Sequence, residues 1–269
     1  MVEIFDDIRK IYQFHPPCEE LADHIEFFSE SSSEATRNHI GNSYFSVKMF
    51  PSWTPTIWFN LGPSYQLKTG NKQYHIPAET DILIVRNEIA ERINQSTDHI
   101  FTVKFFPGGL ESVLDIAQST CRDQVTDVRN ILPLSVIQQV KDKNNPGDRK
   151  QVLQDFFLHQ LSKKKKSDHY LRFVKETIAC YENGQLQYNV NELSARLFTT
   201  SKTINRYFNQ VVGTSPKNYF TILRARTALT AWIAGKKNFQ PADFGYYDLS
   251  HFYKEINRFT GQLLCTLKT

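Results

Sequence analysis

The chain has 269 residues, of which 40% are hydrophobic and 22% charged, with a formal net charge of +4. This length suits two domains with cores of their own, and the composition excludes a disordered or fibrous protein. Apolar runs fall short of the ~20 residues that a membrane-spanning helix requires. Met1–Lys10 lacks the apolar stretch of a secretory signal. We therefore expect a cytoplasmic protein with no membrane partner.

The first half of the chain is predicted to form strands. Phe45–Phe50, Thr56–Leu61, Asp81–Val85 and Ile100–Phe106 are rich in β-branched and aromatic residues and are separated by Gly and Pro turns. Several short strands with turns between them predict a mostly antiparallel sandwich or small barrel.

Aromatic residues in and beside these strands are candidates for lining a small-molecule pocket. They are Trp53, Trp58, Phe59, Phe101 and Phe105. The alternative interpretation is that these rings are ordinary core residues of the sheet, which is where strand aromatics are found more often.

Helical patterns begin after the last strand. Leu110, Val113, Leu114 and Ala117 share one helical face, and a second helix is predicted over Arg149–Leu161. The four adjacent lysines of residues 163–167 repel one another and bury nothing, so they predict a linker. The expected organisation is an N-terminal domain over residues 1–162, the linker over 163–167, and a C-terminal domain over 168–269.

The C-terminal domain is predicted to be entirely helical. Its start signals are the capping residue Asn189, Thr200 at the start of the next helix, and the capping residue Ser215 followed by proline, and its stop signals are glycines after the helices. The predicted helices cover Asp168–Asn183, Val190–Leu197, Thr200–Val211, Ser215–Ala234, Phe239–Phe244 and Asp248 to just before Gly261. The fold class expected for the whole chain is therefore α+β with two domains.

Charge is distributed unevenly between the two predicted domains. Residues 168–269 carry 13 Lys and Arg against 7 Asp and Glu, whereas residues 1–167 carry 19 against 21. A basic C-terminal domain favours a polyanionic partner such as nucleic acid.

Two segments of the C-terminal domain share one pattern, a short helix, a tight turn and a second helix with a polar face. In the first, Ile204 and Phe208 point inward, which leaves polar side chains for a DNA groove. Its candidate DNA-binding residues are Lys202, Asn205 and Arg206. The candidates of the second segment are Leu249, Ser250, Tyr253, Lys254 and Arg258. A generic helical bundle with a polar surface is the alternative.

The residues of these segments resemble the AraC/XylS family of transcription regulators. The resemblance is carried by Ile204-Asn205-Arg206-Tyr207-Phe208, Gly213-Thr214-Ser215-Pro216 and Gly245-Tyr246-Tyr247-Asp248-Leu249-Ser250-His251-Phe252, in that order. It implies two helix-turn-helix subdomains joined by a long helix, with recognition helices in adjacent major grooves. It also implies an activator that contacts the transcription machinery. Pro241 and Leu264 depart from the family pattern, so base reading by the second subdomain stays open.

A weaker resemblance covers the N-terminal domain. His15-Pro16-Pro17, Trp58–Gly62 and Val103–Leu110 are similar to an uncharacterised sensor domain that precedes some AraC-type domains. That resemblance implies a cupin-like β-sandwich that senses a small molecule or mediates homodimerisation, and it names no ligand.

Sites for other chemistry are not expected. Cys18, Cys121, Cys180 and Cys265 lack metal or redox spacing, and the histidines are scattered. Nucleophile-elbow, phosphate-loop and dinucleotide motifs are absent from the sequence. We therefore expect no metal, no cofactor and no enzymatic activity.

Three functions compete. The leading hypothesis is a sequence-specific regulator bound to double-stranded DNA, helped by an effector or a second copy of the chain. The second is an interaction or assembly module with weak or non-specific DNA binding, which the two departures motivate. The third is a cupin-type enzyme, which bound metal would support.

Overall fold

The structure is a computed structural model that describes residues 8–41, 43–122, 124–164, 169–235 and 238–261. Within them the chain is α+β, with a two-sheet antiparallel region followed by helices. The strands are β1 Tyr12–His15, β2 Ile25–Ser31, β3 Phe45–Met49, β4 Pro55–Asn60, β5 Tyr65–Thr69, β6 Lys72–Ile76, β7 Ile82–Val85, β8 Ala90–Asn94, β9 Ile100–Phe105 and β10 Val125–Asp127. The helices are α1 Ile8–Ile11, α2 Ser33–Ile40, α3 Gly109–Leu114, α4 Leu134–Lys141, α5 Pro146–Lys163, α6 His169–Asn183, α7 Val190–Arg196, α8 Ser201–Val211, α9 Pro216–Ala234 and α10 Leu249–Thr260.

The two sheets differ in size and in strand order. The larger has six strands in the order β1-β2-β9-β4-β7-β10, and the smaller has four in the order β3-β8-β5-β6. All pairings are antiparallel, for example Ile57 of β4 opposite Val103 of β9. The predicted antiparallel β region is confirmed and consists of two sheets, and its cupin-like assignment stays a prediction.

The six-stranded sheet is covered on both faces, because side chains of successive residues point to opposite sides of a strand. Along β4, Trp58 belongs to a cluster shared with the four-stranded sheet. Its neighbours Ile57 and Phe59 belong to a second cluster that includes helical residues such as Phe157 and Phe208. All six residues of β4 and of β9 are accordingly buried.

Helices in the C-terminal part begin at the predicted start residues. Asn189 forms a capping box with Glu192 before α7, Thr200 caps α8, and Ser215 caps α9 with Pro216 in the first turn. Asp248 caps α10. These side chains accept hydrogen bonds from backbone N–H groups that a helix N-terminus leaves unpaired, so the local sequence specifies where each helix begins.

Two predicted helices are shorter than expected. The helix after β9 ends at Leu114, because Asp115 adopts a left-handed conformation with φ of 58°. The element predicted over Phe239–Phe244 is a single 3-10 turn, Pro241–Phe244. Proline occupies its first turn, where no N–H partner is required.

The predicted linker and the end of the chain are described only in part. Helix α5 runs through Lys163, and Lys164 Nζ donates to the Glu111 carbonyl 2.6 Å away. Residues 165–168, Leu264 and Cys265 lie outside the described residues. The boundary of residues 163–167 therefore stays a prediction.

Candidate nucleic-acid interface

Helices α7 and α8 form the first turn-linked pair. Leu193 of α7 and Ile204, Phe208 and Val211 of α8 are fully buried. Since residues three, four and seven positions apart share one face of a helix, α8 lies with this single apolar stripe against its partners. The opposite side of α8 is left free of packing.

The exposed side of α8 carries the predicted first set of DNA-binding residues. Lys202, Asn205 and Arg206 are all exposed, and so is Asn209. At 3.6 residues per turn these four positions fall within one side of the helix. The structure therefore brings the predicted residues of this helix together in one continuous polar stripe.

Two of these side chains are held against the helix itself. The Asn205 side-chain N–H donates to the Ser201 carbonyl at 2.8 Å, and the Arg206 guanidinium lies 4.7 Å from the ring centre of Tyr207. Both contacts are exposed and local, so a base edge that offers a better hydrogen bond can replace them at low cost.

Helix α10 belongs to the second unit, preceded by the 3-10 turn Pro241–Phe244. Phe252, Ile256 and Phe259 form its buried stripe. The Asp248 carboxylate accepts from the His251 backbone N–H at 2.7 Å, and the His251 ring accepts from the Tyr247 N–H at 3.4 Å. His251 therefore takes part in the turn before the helix.

The predicted DNA-binding residues of α10 divide into two groups. Leu249, Ser250, Tyr253 and Lys254 are exposed in the first two turns of the helix. Arg258 lies near the C-terminal end, where it stacks 4.5 Å from the Phe259 ring centre and borders a groove against the N-terminal half. The structure thus groups four of the five residues and places Arg258 apart from them.

A partly buried ionic network attaches α10 to α9. Arg224 makes two hydrogen bonds to the Glu255 carboxylate, at 2.9 and 3.0 Å, and the Tyr246 hydroxyl donates to the same carboxylate at 2.6 Å. Burial, together with that hydrogen bond, raises the pKa of Tyr246 above its usual range. Arg224 also lies 4.7 Å from the Tyr246 ring centre. These side chains therefore give the second unit one polar attachment to the long helix.

No family model matches the chain. A search of curated proteins likewise finds no match. Among solved structures, the chain is similar to an apo form of ToxT from Vibrio cholerae, with 15% identity, coverage of 83% of this chain and 91% of that one, and a TM-score of 0.47.

The comparison with solved structures also returns two further structures. Wild-type ToxT from Vibrio cholerae with an unsaturated fatty acid bound has 14% identity, covers 82% and 92% of the two chains, and gives a TM-score of 0.44. The AraC-like transcriptional activator CuxR has 10% identity, coverage of 85% and 89%, and a TM-score of 0.28.

Two aromatic rings stand out in the turns that precede the exposed helices. Phe198, between α7 and α8, is 98% exposed, and Tyr247, just before α10, is 92% exposed. Phe198 also has a φ of 50°, a left-handed conformation that a bulky side chain rarely adopts. An exposed ring on strained backbone lowers the stability of the folded chain, so it points to a functional role for the residue.

The five aromatic residues predicted to line a ligand pocket do not share one surface. Trp58 faces the space between the sheets, where it borders a cavity of about 40 Å³ beside the buried Arg92. Phe59, Phe101 and Phe105 are fully buried on the opposite face of the sheet, and Trp53 lies in a buried loop. Strand alternation places Trp58 and Phe59 on opposite faces of the sheet, and ligand contact by either face stays a prediction.

A larger cavity, of about 650 Å³, lies between the N-terminal half and helices α6 and α9. Apolar wall positions include Phe106 and Leu223. Glu26 is among its charged residues, with one carboxylate oxygen 3.0 Å from Arg226 Nη2 and the other 2.8 Å from Lys104 Nζ. Burial opposes ionisation, but the two cations lower the pKa of Glu26 to about 2.

Sequence reasoning missed the residues that join the two halves. Glu26 and Arg226 are 200 positions apart, and Gln118 bonds to Val212 across 94 positions. Neither pair has a local sequence signature, since only the packing of the two halves brings them together. In the parts of the chain described here, no three His, Cys, Asp or Glu side chains are grouped as a metal site. None of the described helices combines the length and apolarity needed to cross a membrane.

Proposed function

We propose that this chain is a sequence-specific DNA-binding transcription regulator that reads DNA through two helix-turn-helix units. The observation that carries the proposal is that α8 and α10 each follow a tight turn and each have a buried apolar stripe and an exposed polar side. Helix α9, of 19 residues, joins the two units. A helix exposed in this way can enter a major groove while its apolar side stays on its partner. The basic C-terminal half supplies the charge that phosphates attract.

The first unit is the stronger reader in this proposal. Arg206 offers two parallel N–H donors that suit guanine O6 and N7, and Asn205 offers the donor and acceptor that suit adenine. On α10 the exposed residues include Leu249 and Tyr253, at 44% and 37% exposure, which suit contact with a thymine methyl or the sugar-phosphate backbone. Lys254 and Ser250 add polar contacts there.

Selection of bound sites from a random DNA pool tests this function. We expect an enriched sequence with two half-sites about one helical turn apart, and an affinity that falls steeply with salt. Equal affinity for the enriched site and for random DNA would contradict specific reading. The same measurement at low and at high protein concentration reports whether binding requires a homodimer.

For the sensing role, we propose that the cavity beside Glu26 and Arg226 accepts a small molecule. Its volume of about 650 Å³ falls in the range of ligand sites, and apolar walls around a few charged groups are typical of them. The dye anilinonaphthalene sulfonate, an apolar body with one anionic group, is a suitable probe. We expect Ala231→Trp, which fills the cavity, to abolish dye binding, while Ala242→Trp on the exposed 3-10 turn keeps it.

A second candidate function is an assembly module that binds protein. The exposure of Phe198 and Tyr247, at 98% and 92%, favours it, because apolar rings in turns are common anchors of protein interfaces. If the pool yields no enriched sequence and the chain binds DNA only non-specifically, this function takes precedence. DNA binding that does not change after substitution of Lys202, Asn205 and Arg206 would also favour the assembly function.

A further inference from the structure

The C-terminal end of α8 is capped by side chains of the N-terminal half. Gln118 is fully buried, and its side-chain N–H group donates to the carbonyl of Val212, the C-cap residue, at 3.0 Å. Arg122 donates to the next carbonyl, that of Gly213, at 2.8 Å. The last carbonyls of a helix lack partners within the helix and carry its negative end, so an amide and a guanidinium satisfy them well.

Gln118 reaches two other segments besides the end of α8. The same side-chain nitrogen of Gln118 also donates to the Trp53 carbonyl at 2.6 Å. The side-chain oxygen of Gln118 accepts from the Gly108 N–H at 3.4 Å. Trp53 has a φ of 52°, so the loop that presents its carbonyl is held in a strained conformation. One buried amide thus connects three separate backbone segments.

The C-terminal end of α10 rests on the same loop of the N-terminal half. The ring of Phe50 lies 5.7 Å, centre to centre, from that of Phe259 in the last turn of α10. Phe50 and Phe259 are 1% and 8% exposed. The loop from Phe50 to Thr54 is buried. The backbone carbonyl of Arg86 accepts hydrogen bonds from the backbone N–H groups of Ser52 and Trp53 in this loop.

We propose that Gln118 and the loop Phe50–Thr54 form a brace that sets the distance between the two recognition helices, with Gln118 and Arg122 as positioning residues. This inference rests on the proposed DNA-binding function. Helix α9 already joins the two units, and the brace contacts both recognition helices at their far ends, closing a second connection between them. The N-terminal halves of α8 and α10, with the exposed side chains, remain uncovered.

The brace gives the N-terminal half control over which half-site spacing the protein accepts. Two recognition helices on a single bending connection can follow half-sites that are one base pair closer or further apart. Two connections hold the recognition helices at one separation. On DNA with a different half-site spacing, one of the two helices then loses its base contacts. The loop ends at Thr54, which borders the cavity beside Glu26.

The test uses the full-length protein and the site enriched from a random pool, with the half-site spacing kept or changed by one base pair. We compare the wild type with Gln118→Ala and Arg122→Ala. Gln154→Ala is the matched control, since Gln154 is 5% exposed and accepts the Cys18 N–H at 2.7 Å, remote from the recognition helices. The readout is the ratio of Kd values at the changed and the enriched spacing.

We expect the wild type and Gln154→Ala to share one ratio, and Gln118→Ala to lower it by about tenfold, the effect of one buried hydrogen-bonding amide. Arg122 is exposed, so Arg122→Ala folds and decides the matter should Gln118→Ala unfold. A ratio that neither variant changes overturns the brace. A wild type that enriches no sequence overturns the proposed function instead, and the brace as a spacing device falls with it.

Discussion

Arg224 of α9 and Glu255 of α10 form a two-bonded ion pair, with side chains 21% and 11% exposed. Glu255→Ala leaves the guanidinium largely buried without its partner. We expect a loss of about 3 kcal/mol in the free energy of unfolding, measured by urea denaturation. Glu176→Ala is the control, because its pair with Arg172 is 3.5 Å apart and mostly exposed. That variant should lose less than about 1 kcal/mol, and equal losses would contradict the assigned role of Glu255.

Arg206→Ala is expected to weaken binding to the enriched site by about 1–3 kcal/mol and to relax preference at one base pair. The reason is the loss of a two-donor contact to a guanine edge. Competition gel shifts against single-base variants of the site measure both effects. Arg129→Ala removes the same charge from an exposed residue of the N-terminal half and should change neither. Loss of affinity that is uniform across sequences would make Arg206 a phosphate contact.

Glu26→Gln is expected to destabilise the protein most near neutral pH. The pKa of Glu26 is about 2 in the folded chain and 4.5 as its ordinary value, so its stabilising charge is fully present above about pH 5. Protonation removes that contribution as the pH falls from 4.5 towards 2. The difference in unfolding free energy between wild type and variant should therefore shrink between pH 6 and pH 3, as followed by urea denaturation. A difference that grows on acidification would contradict the ionic contact with Lys104 and Arg226.

Phe198→Asn is expected to raise the free energy of unfolding by about 0.5–1 kcal/mol. Asparagine tolerates the left-handed conformation better than phenylalanine, and no buried contact is lost because the ring is exposed. Thermal denaturation measures the change. A more stable variant with normal DNA binding but impaired assembly assigns the ring to a protein partner. A less stable variant would show that the ring packs in solution.

The C-terminal helices could be predicted closely because their signals are local. Asn189, Thr200, Ser215 and Asp248 each cap a helix within three residues of their own position. The polar stripe of α8 follows from helical spacing alone. The sequence therefore predicted both the elements and the exposed residues of the first unit.

The sheet and the contacts between halves could not be predicted in the same way. Strands such as β2 and β8 lack a strong alternation of apolar and polar residues in their sequence. Strand β2 also pairs with β9, about seventy residues further along the chain, as the pair Ser29 and Thr102 shows. Trp58 and Phe59 are neighbours on β4 and face opposite sides of the sheet, so their predicted contact with a ligand stays a prediction for each residue separately. Gln118 and Glu26 act only where distant segments meet, so no local pattern indicates them.

The second core cluster continues from the six-stranded sheet into the helical half without interruption, since it contains Phe50 and Leu110 together with Val211, Val212 and Phe259. Cutting the chain between the halves would expose these side chains to water on both fragments. Such fragments would tend to self-associate, because contiguous apolar surface promotes aggregation. A recombinant C-terminal fragment should therefore need Val212 and Phe259 replaced by polar residues to remain soluble.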